Sequence, residues 1–121
     1  MTFPYVVELP EGVNLPKEMS LVEFQEQVFD QIKKDFQLDE NEVLEPFNLW
    51  LERTVFQNPD RIHASFYRLD LNEESVKNIL KQEEVPMRYT LLAELSIQRA
   101  VLKVLSRVNY ALKNQLNSNK N

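Results

Sequence analysis

The chain has 121 residues, of which 43% are hydrophobic and 27% are charged, and its formal net charge is −5. This length suits one domain, and this balance is typical of a folded soluble protein rather than a disordered or membrane-embedded one. Cysteine is absent, which excludes a disulfide framework, a thiolate metal site and a cysteine nucleophile. The single glycine argues against many tight hairpins, because those turns need residues at positive φ. We therefore expect an all-α fold, a compact bundle of about five helices.

Three prolines near the start prevent a continuous helix there: Pro4, Pro10 and Pro16. We predict an extended arm over residues 1–19, either as a short edge strand or laid over the helices, with a turn at Gly12. The first ten residues have no basic region followed by a long apolar run, so no signal peptide is expected. No apolar run reaches the ~18 residues that a membrane span requires. These features favour a soluble, cytoplasmic protein that does not bind membranes.

The first helix is predicted over residues 20–36, because Ser20 and Glu23 have the spacing of a capping box. Its apolar residues recur every three or four positions, as in a helix with one buried face. These residues are Leu21, Phe24, Val28, Ile32 and Phe36. The helix opens a single helical domain over residues 20–116, and a polar tail over residues 117–121 follows.

A second capping box, Asp39 with Glu42, predicts another helix start. Pro46 interrupts that helix, which predicts either a kink or a new helix with Pro46 in its first turn. The new helix should end before Asn58, which in turn caps the next one. Residues 60–70 have a pattern that fits a short helix or a strand, and we favour the helix.

A further start signal is Asn72, which predicts a helix with Val76, Ile79 and Leu80 facing inward. Pro86 is expected to close the turn region after this helix. One more short helix therefore precedes the long last one.

The last helix carries two adjoining rows of residues, each spaced alternately by four and three. The first row, named here the leucine seam, has heptad spacing with two amides in it. It comprises Leu91, Leu95, Gln98, Leu102, Leu105, Asn109, Leu112 and Leu116. The second row comprises Ile97, Val101, Val104, Val108 and Ala111. Together they are too wide for one neighbour, so we predict a central helix that several others contact.

The leucine seam has two interpretations. In the first, which we favour, other helices of the same chain cover both rows. Leu102 and Leu105 are predicted to be core residues in either interpretation. In the second, two copies of the chain pair as a homodimer, because an asparagine such as Asn109 in a heptad seam sets the register of two-stranded coiled coils. The residues of this dimer seam would be Leu95, Gln98, Leu102, Leu105, Asn109 and Leu112.

Charge is distributed unevenly along the chain. Residues 1–86 contain 8 basic and 18 acidic side chains, whereas residues 87–121 contain 6 basic and 1 acidic. Arg99, Lys103 and Arg107 follow each other at intervals of four along one edge of the last helix, named here the basic edge. Either acidic neighbours in the same domain face this edge, or an external anion or partner binds there. Nucleic-acid binding would use the second arrangement, although the overall acidity counts against it.

Signals of catalysis are weak. His63 is the only histidine, with no cysteine or second histidine to act with it. Glu42 and Glu45 form an E-x-x-E pair without the E-x-x-H partners of a di-iron bundle, and one glycine cannot build a glycine-rich phosphate loop. We expect no enzyme activity, metal or cofactor, with a carboxylate-based enzyme as an alternative. The sequence favours a small protein-interaction or regulatory module whose partner is another protein or a second copy; nucleic-acid binding is the other alternative.

Overall fold

The computed structural model describes the backbone of residues 7–82 and 84–118, and within these ranges every side chain except those of residues 82, 86 and 111–118. The described chain forms five α-helices and one 3₁₀ turn and contains no strand, which confirms the all-α prediction. The elements are α1 (Leu21–Asp35), the 3₁₀ turn (Glu42–Leu44), α2 (Phe47–Gln57), α3 (Pro59–Leu69), α4 (Glu73–Gln82) and α5 (Val85–Ser118). Among these elements, none combines the length and sustained apolarity that crossing a bilayer demands.

Side-chain caps begin three of the helices at the predicted residues. Ser20 Oγ accepts a hydrogen bond at 3.1 Å from the backbone N–H of Glu23. Asn58 Oδ1 and Asn72 Oδ1 accept corresponding bonds at 3.2 Å and 3.0 Å from the N–H three residues later. Each bond satisfies an N–H group that has no partner within the helix. The helix favoured over residues 60–70 is therefore confirmed as α3.

The second capping box is also present, but it starts only the 3₁₀ turn. Asp39 Oδ1 accepts from the N–H of Glu42 at 2.8 Å, and Glu42 Oε1 accepts from the N–H of Asp39 at 3.1 Å. The turn ends because Pro46 disfavours a helical conformation for Glu45, which is extended. A new helix begins at Phe47, so of the two predicted alternatives the new helix start is confirmed and the kink is not. Pro46 lies just before the first turn of this helix, not inside that turn as predicted.

Both ends of α5 differ from the sequence prediction. Pro86 lies in the first turn of this helix and does not close a turn region before it. That position tolerates proline, because the N–H groups of a first turn have no partner inside the helix. At the other end, α5 continues to Ser118 and so includes two residues of the predicted tail. Residues 119–121 of the tail and 1–6 of the arm lie outside the described residues.

The centre of the bundle is α5, which contacts the four other α-helices as predicted. The second row of α5 faces the core through Ile97, Val101 and Val104, which are buried, and Val108, which is half-buried. On α1 the predicted stripe is buried from Phe24 to Phe36. Leu21, at the amino-terminal end of this stripe, is the exception, since its side chain is 50% exposed.

An aromatic cluster joins α1 to α2 and α3. The ring of Phe36 contacts Phe47, Trp50 and Phe66 with centroid distances of 5.0, 5.8 and 6.0 Å, each close to perpendicular. Edge-to-face pairs of this kind place the positive ring edge against the negative ring face. Trp50 is 1% exposed, so the only tryptophan of the chain reports on this part of the core.

The leucine seam does not face the core along its whole length, which corrects the favoured interpretation. Leu105 is 6% exposed, but Leu102 is 48% exposed, and Gln98 and Asn109 are exposed too. The neighbours of α5 cover the arc that contains the second row, and residues adjacent in sequence lie about 100° apart around a helix. Leu102 therefore faces outward, next to the buried Val101. The side chain of Leu112 lies outside the described residues.

The arm runs along the bundle and forms no strand over residues 7–19. The arm residues packed against the core are Val7, Leu9, Val13, Leu15 and Met19. The predicted turn is present, because the N–H of Val13 donates to the carbonyl oxygen of Pro10 at 3.1 Å. Gly12 adopts φ 77° in this turn, a conformation that favours glycine.

Two helices end at non-glycine residues in the left-handed region. Gln37 follows α1 with φ 52°, and Asp70 follows α3 with φ 61°. This conformation costs roughly 1–2 kcal/mol for a residue with a side chain. Donors from other helices hold both ends: Arg61 Nη2 donates to the carbonyl oxygens of Phe36 at 3.4 Å and Gln37 at 3.0 Å, and Arg99 Nε donates to that of Asp70 at 3.1 Å.

Candidate functional site: a groove between the third and fourth helices

The basic edge of α5 has partners within the same chain. Arg99 Nη2 donates to Asp70 Oδ2 at 3.1 Å, and Lys103 Nζ donates to Asp35 Oδ2 at 3.2 Å. These are the acidic neighbours that one of the two sequence interpretations required. Arg107 does not reach a carboxylate among the described contacts and donates instead to a side-chain amide.

The same cations bind the carboxyl end of α3. Lys103 Nζ donates to the carbonyl oxygen of Arg68 at 2.7 Å, and Arg99 Nε donates to that of Asp70. The last carbonyl groups of a helix lack partners inside the helix and carry a partial negative charge. Arg99 and Lys103 of the basic edge therefore neutralise the carboxyl end of α3 within their own bundle.

A buried polar network surrounds Asp35, which is 5% exposed. Gln31 Nε2 donates to Asp35 Oδ2 at 2.7 Å, and Arg107 Nη1 donates to Gln31 Oε1 at 2.8 Å. Arg68 Nε donates to the backbone oxygen of Asp35 at 2.7 Å. Since buried carboxylates are costly without donors, these bonds make the network a structural tie between α1, α3 and α5.

The E-x-x-E pair consists of two ion-paired carboxylates. Glu42 accepts from Arg61 Nη1 at 2.7 Å and Nη2 at 2.8 Å and from Trp50 Nε1 at 2.7 Å. The bonds from Arg61 are the main cause that lowers the pKa of Glu42 from 4.5 to about 2, with burial opposing them and Trp50 adding to them. Glu45 accepts from Arg53 Nη2 at 2.7 Å. A carboxylate with a pKa near 2 stays ionised at neutral pH and is poorly suited to general acid–base catalysis.

An open groove of about 660 Å³ lies between α3 and α4. It exists because α4 packs on α5 and not closely on α3. The lining residues are His63, Phe66, Tyr67 and Asp70 on the α3 side, Leu71 at the connection, and Glu73, Val76, Lys77 and Leu80 on α4. Each wall follows the spacing i, i+3, i+4, i+7, so each presents one continuous helix face of about two turns.

The floor of the groove is apolar and partly accessible. Phe66 and Val76 are half-buried against the core, Leu80 is 38% exposed and Tyr67 is 86% exposed. Leu80 was predicted to face inward, but it lines the groove because α3 does not close over this side of α4. An exposed tyrosine beside apolar side chains is a composition common at protein interfaces.

Charged groups stand at the rim of the groove and differ between its two ends. Asp70 and Glu73 flank the short connection between α3 and α4, so the end of the groove at this connection, named here the closed end, is acidic. The side chain of Asp70 is 80% exposed although it contacts Arg99. Lys77 and His63 lie one turn or more away from the closed end. The groove is therefore polarised along its length.

The sequence interpretation did not identify this groove. It predicted only that residues 60–70 form a short helix, and it gave Tyr67 no role. Two consecutive helices with the same i, i+3, i+4, i+7 pattern on a second face are a signal that could have indicated it. Whether two such faces meet depends on how α3 and α4 diverge, which the spacing does not determine.

Apolar side chains are also exposed outside the groove. On α2, Leu49 and Phe56 are 53% and 75% exposed, but they lie two turns apart with Arg53 between them. On α5, Leu102 is exposed beside Gln98. Among the described residues, no three histidine, aspartate or glutamate side chains are grouped so that they could hold a metal ion.

Fold and groove together define a small all-α bundle with an open, largely apolar groove between two neighbouring helices. Comparisons with protein-family models, with curated protein sequences and with solved structures found no match. The functional conclusion therefore depends on the geometry and charge of this chain.

Proposed function

We propose that the protein is a small protein-interaction module and that the groove between α3 and α4 is its binding surface. The pair of matching helix faces that line the groove carries this proposal. Contiguous exposed apolar surface with a polar rim is characteristic of interaction sites. The other charged clusters of the described chain, around Asp35 and Glu42, are satisfied internally and support its structure. The proposal includes a cytoplasmic location, with which the absence of cysteine agrees.

Site-specific photo-crosslinking tests this proposal. A benzophenone amino acid replaces Tyr67, which is 86% exposed in the groove, or Phe56, which is 75% exposed on α2 and serves as the matched control. In extracts of the native host, the Tyr67 position should capture a defined protein that the Phe56 position does not. The additional change Leu80→Glu, on the opposite wall, should abolish that capture. Equal capture at both positions, or none at Tyr67, would contradict the assignment of the groove.

A homodimer through α5 is the second candidate, favoured by the 48% exposure of Leu102 on the leucine seam. Leu95, about two turns away on the same seam, is half-buried. The amides of Gln98 and Asn109 are exposed, so a second copy could accept their hydrogen bonds. Sedimentation equilibrium over a range of concentrations measures this directly. A mass of 14.4 kDa at every concentration would exclude the dimer and leave the groove proposal unaffected.

A further inference from the structure

Building on the proposed function, we infer that the occupant of the groove is a basic amphipathic helix of a partner protein. It binds with its apolar stripe on the groove floor and its positively charged end against Asp70 and Glu73. Shape and charge support this assignment independently.

The shape of the groove fits one helix. Each wall extends over eight positions, from His63 to Asp70 and from Glu73 to Leu80. At 1.5 Å per residue this corresponds to roughly 10 Å, or about two helical turns. A helix of a partner presents apolar residues over two turns at i, i+3, i+4 and i+7, which is the recognition pattern of helix-in-groove complexes. The half-buried Phe66 and Val76 supply the apolar floor on which such a stripe would pack.

The charge of the groove favours a partner of opposite, positive charge. The closed end carries the carboxylates of Asp70 and Glu73, and the exposed Glu74 adds a third in the first turn of α4. Arg99 donates to the carbonyl oxygen and the carboxylate of Asp70 and so offsets the charge of that carboxylate. The negative charge of this end therefore comes mainly from Glu73 and Glu74. The chain as a whole has a net charge of −5, so its long-range field also attracts a cationic partner.

The polarity of the groove sets the direction of the bound helix. Lys77 lies one turn along α4 from Glu73, and His63 lies two turns along α3 from Asp70. Lysine or arginine side chains of the partner should therefore cluster at the end near the connection between α3 and α4. A helix that is basic along its entire length would place like charges next to Lys77, which is unfavourable.

Two synthetic peptides of about fourteen residues test the inference, a length near the minimum for helix formation in water. Both carry leucine at i, i+3, i+4 and i+7; one has lysines in its terminal turn and the other has glutamates at the same positions. Fluorescence anisotropy with the full-length protein should show binding of the lysine peptide at least about tenfold tighter than that of the glutamate peptide. Glu73→Lys should weaken the lysine peptide by about fivefold or more, while Glu26→Lys, the same charge change on an exposed residue of α1, should not.

A second pair of variants, one in the groove and one outside it, tests the apolar contacts between the groove and the peptide. Tyr67→Ala should weaken the lysine peptide about fivefold or more, because tyrosines in interfaces often dominate affinity, whereas Phe56→Ala should leave it unchanged. Both side chains are mostly exposed, so both variants should fold as the wild type by circular dichroism. Equal or tighter binding of the glutamate peptide, still sensitive to Tyr67→Ala, would overturn the basic partner and keep the groove. If Glu26→Lys and Phe56→Ala reduce peptide binding as much as the groove variants do, both the basic partner and the groove are overturned. The same conclusion follows if neither peptide binds and position 67 captures no protein.

Discussion

The change Glu42→Gln removes an ionised carboxylate while it preserves the shape of the side chain. Glu42 accepts bonds from Arg61, Trp50 and the backbone of Asp39, and its pKa is lowered from 4.5 to about 2. At about 1.36 kcal/mol per pKa unit, this lowering means that the ionised form stabilises the fold by roughly 3 kcal/mol relative to the protonated form. Glutamine resembles the protonated form, so the free energy of unfolding at pH 7 should fall by roughly 3 kcal/mol.

Urea denaturation measured by the fluorescence of Trp50 at a series of pH values tests this magnitude. The folded pKa lies below the unfolded one, so the stabilisation is complete above pH ~5 and is lost as the pH falls toward ~2. The wild type should lose its advantage over Glu42→Gln across this window. Glu45→Gln is the control, because its pair with Arg53 is exposed by 38% and 42% and should contribute at most about 1 kcal/mol. A difference between wild type and Glu42→Gln that stays constant from pH 6 to pH 2.5, or that equals the control, would refute the reasoning.

Three further outcomes are expected from the contacts of α5. Leu105→Ala should lower the free energy of unfolding, measured by urea denaturation, by ~2–5 kcal/mol, because the side chain is 6% exposed. Leu102→Ala, at 48% exposure, should lower it by less than ~1 kcal/mol, and equal losses would contradict the orientation of the leucine seam. Lys103→Gln should lower the free energy of unfolding by ~1–3 kcal/mol, because it removes a donor from the buried carboxylate of Asp35. Arg99→Gln should lower it by at most ~1 kcal/mol, because the carboxylate of Asp70 is exposed. A larger loss for Arg99→Gln than for Lys103→Gln would count against the network around Asp35. A mobility-shift assay at physiological salt should show no sub-micromolar DNA or RNA binding, and salt-sensitive binding that the change of Arg99, Lys103 and Arg107 to Gln abolishes would overturn this expectation.

Local signals in the sequence predicted the helix starts well. Ser20, Asn58 and Asn72 act within three residues, so their hydrogen bonds depend little on the rest of the fold. The capping box at Asp39 shows the limit of such signals, because Pro46 confines it to one turn and the capped segment becomes a 3₁₀ turn.

Features that depend on which helices meet were predicted less well. The two rows of α5 look equivalent in sequence, and only the packing of the other helices on α5 decides that Val101 is buried and Leu102 is not. The partners of the basic edge were left open for the same reason, since Lys103 and Asp35 are 68 residues apart. The groove escaped prediction because it results from the divergence of α3 and α4, and local periodicity contains no information on that angle.

The carboxyl ends of α1 and α3 accept hydrogen bonds from distant helices, and this affects the cooperativity of folding. Neither α1 nor α3 is stopped by a glycine, and Arg61 and Arg99 reach the two ends from 25 and 29 residues away. Before the bundle assembles, these carbonyl groups have no such donors, and the left-handed residues Gln37 and Asp70 have little to offset their strain. A peptide that contains α1 alone should therefore fray at its carboxyl end. Secondary structure and tertiary packing in this protein are then expected to form and to melt together, in one transition.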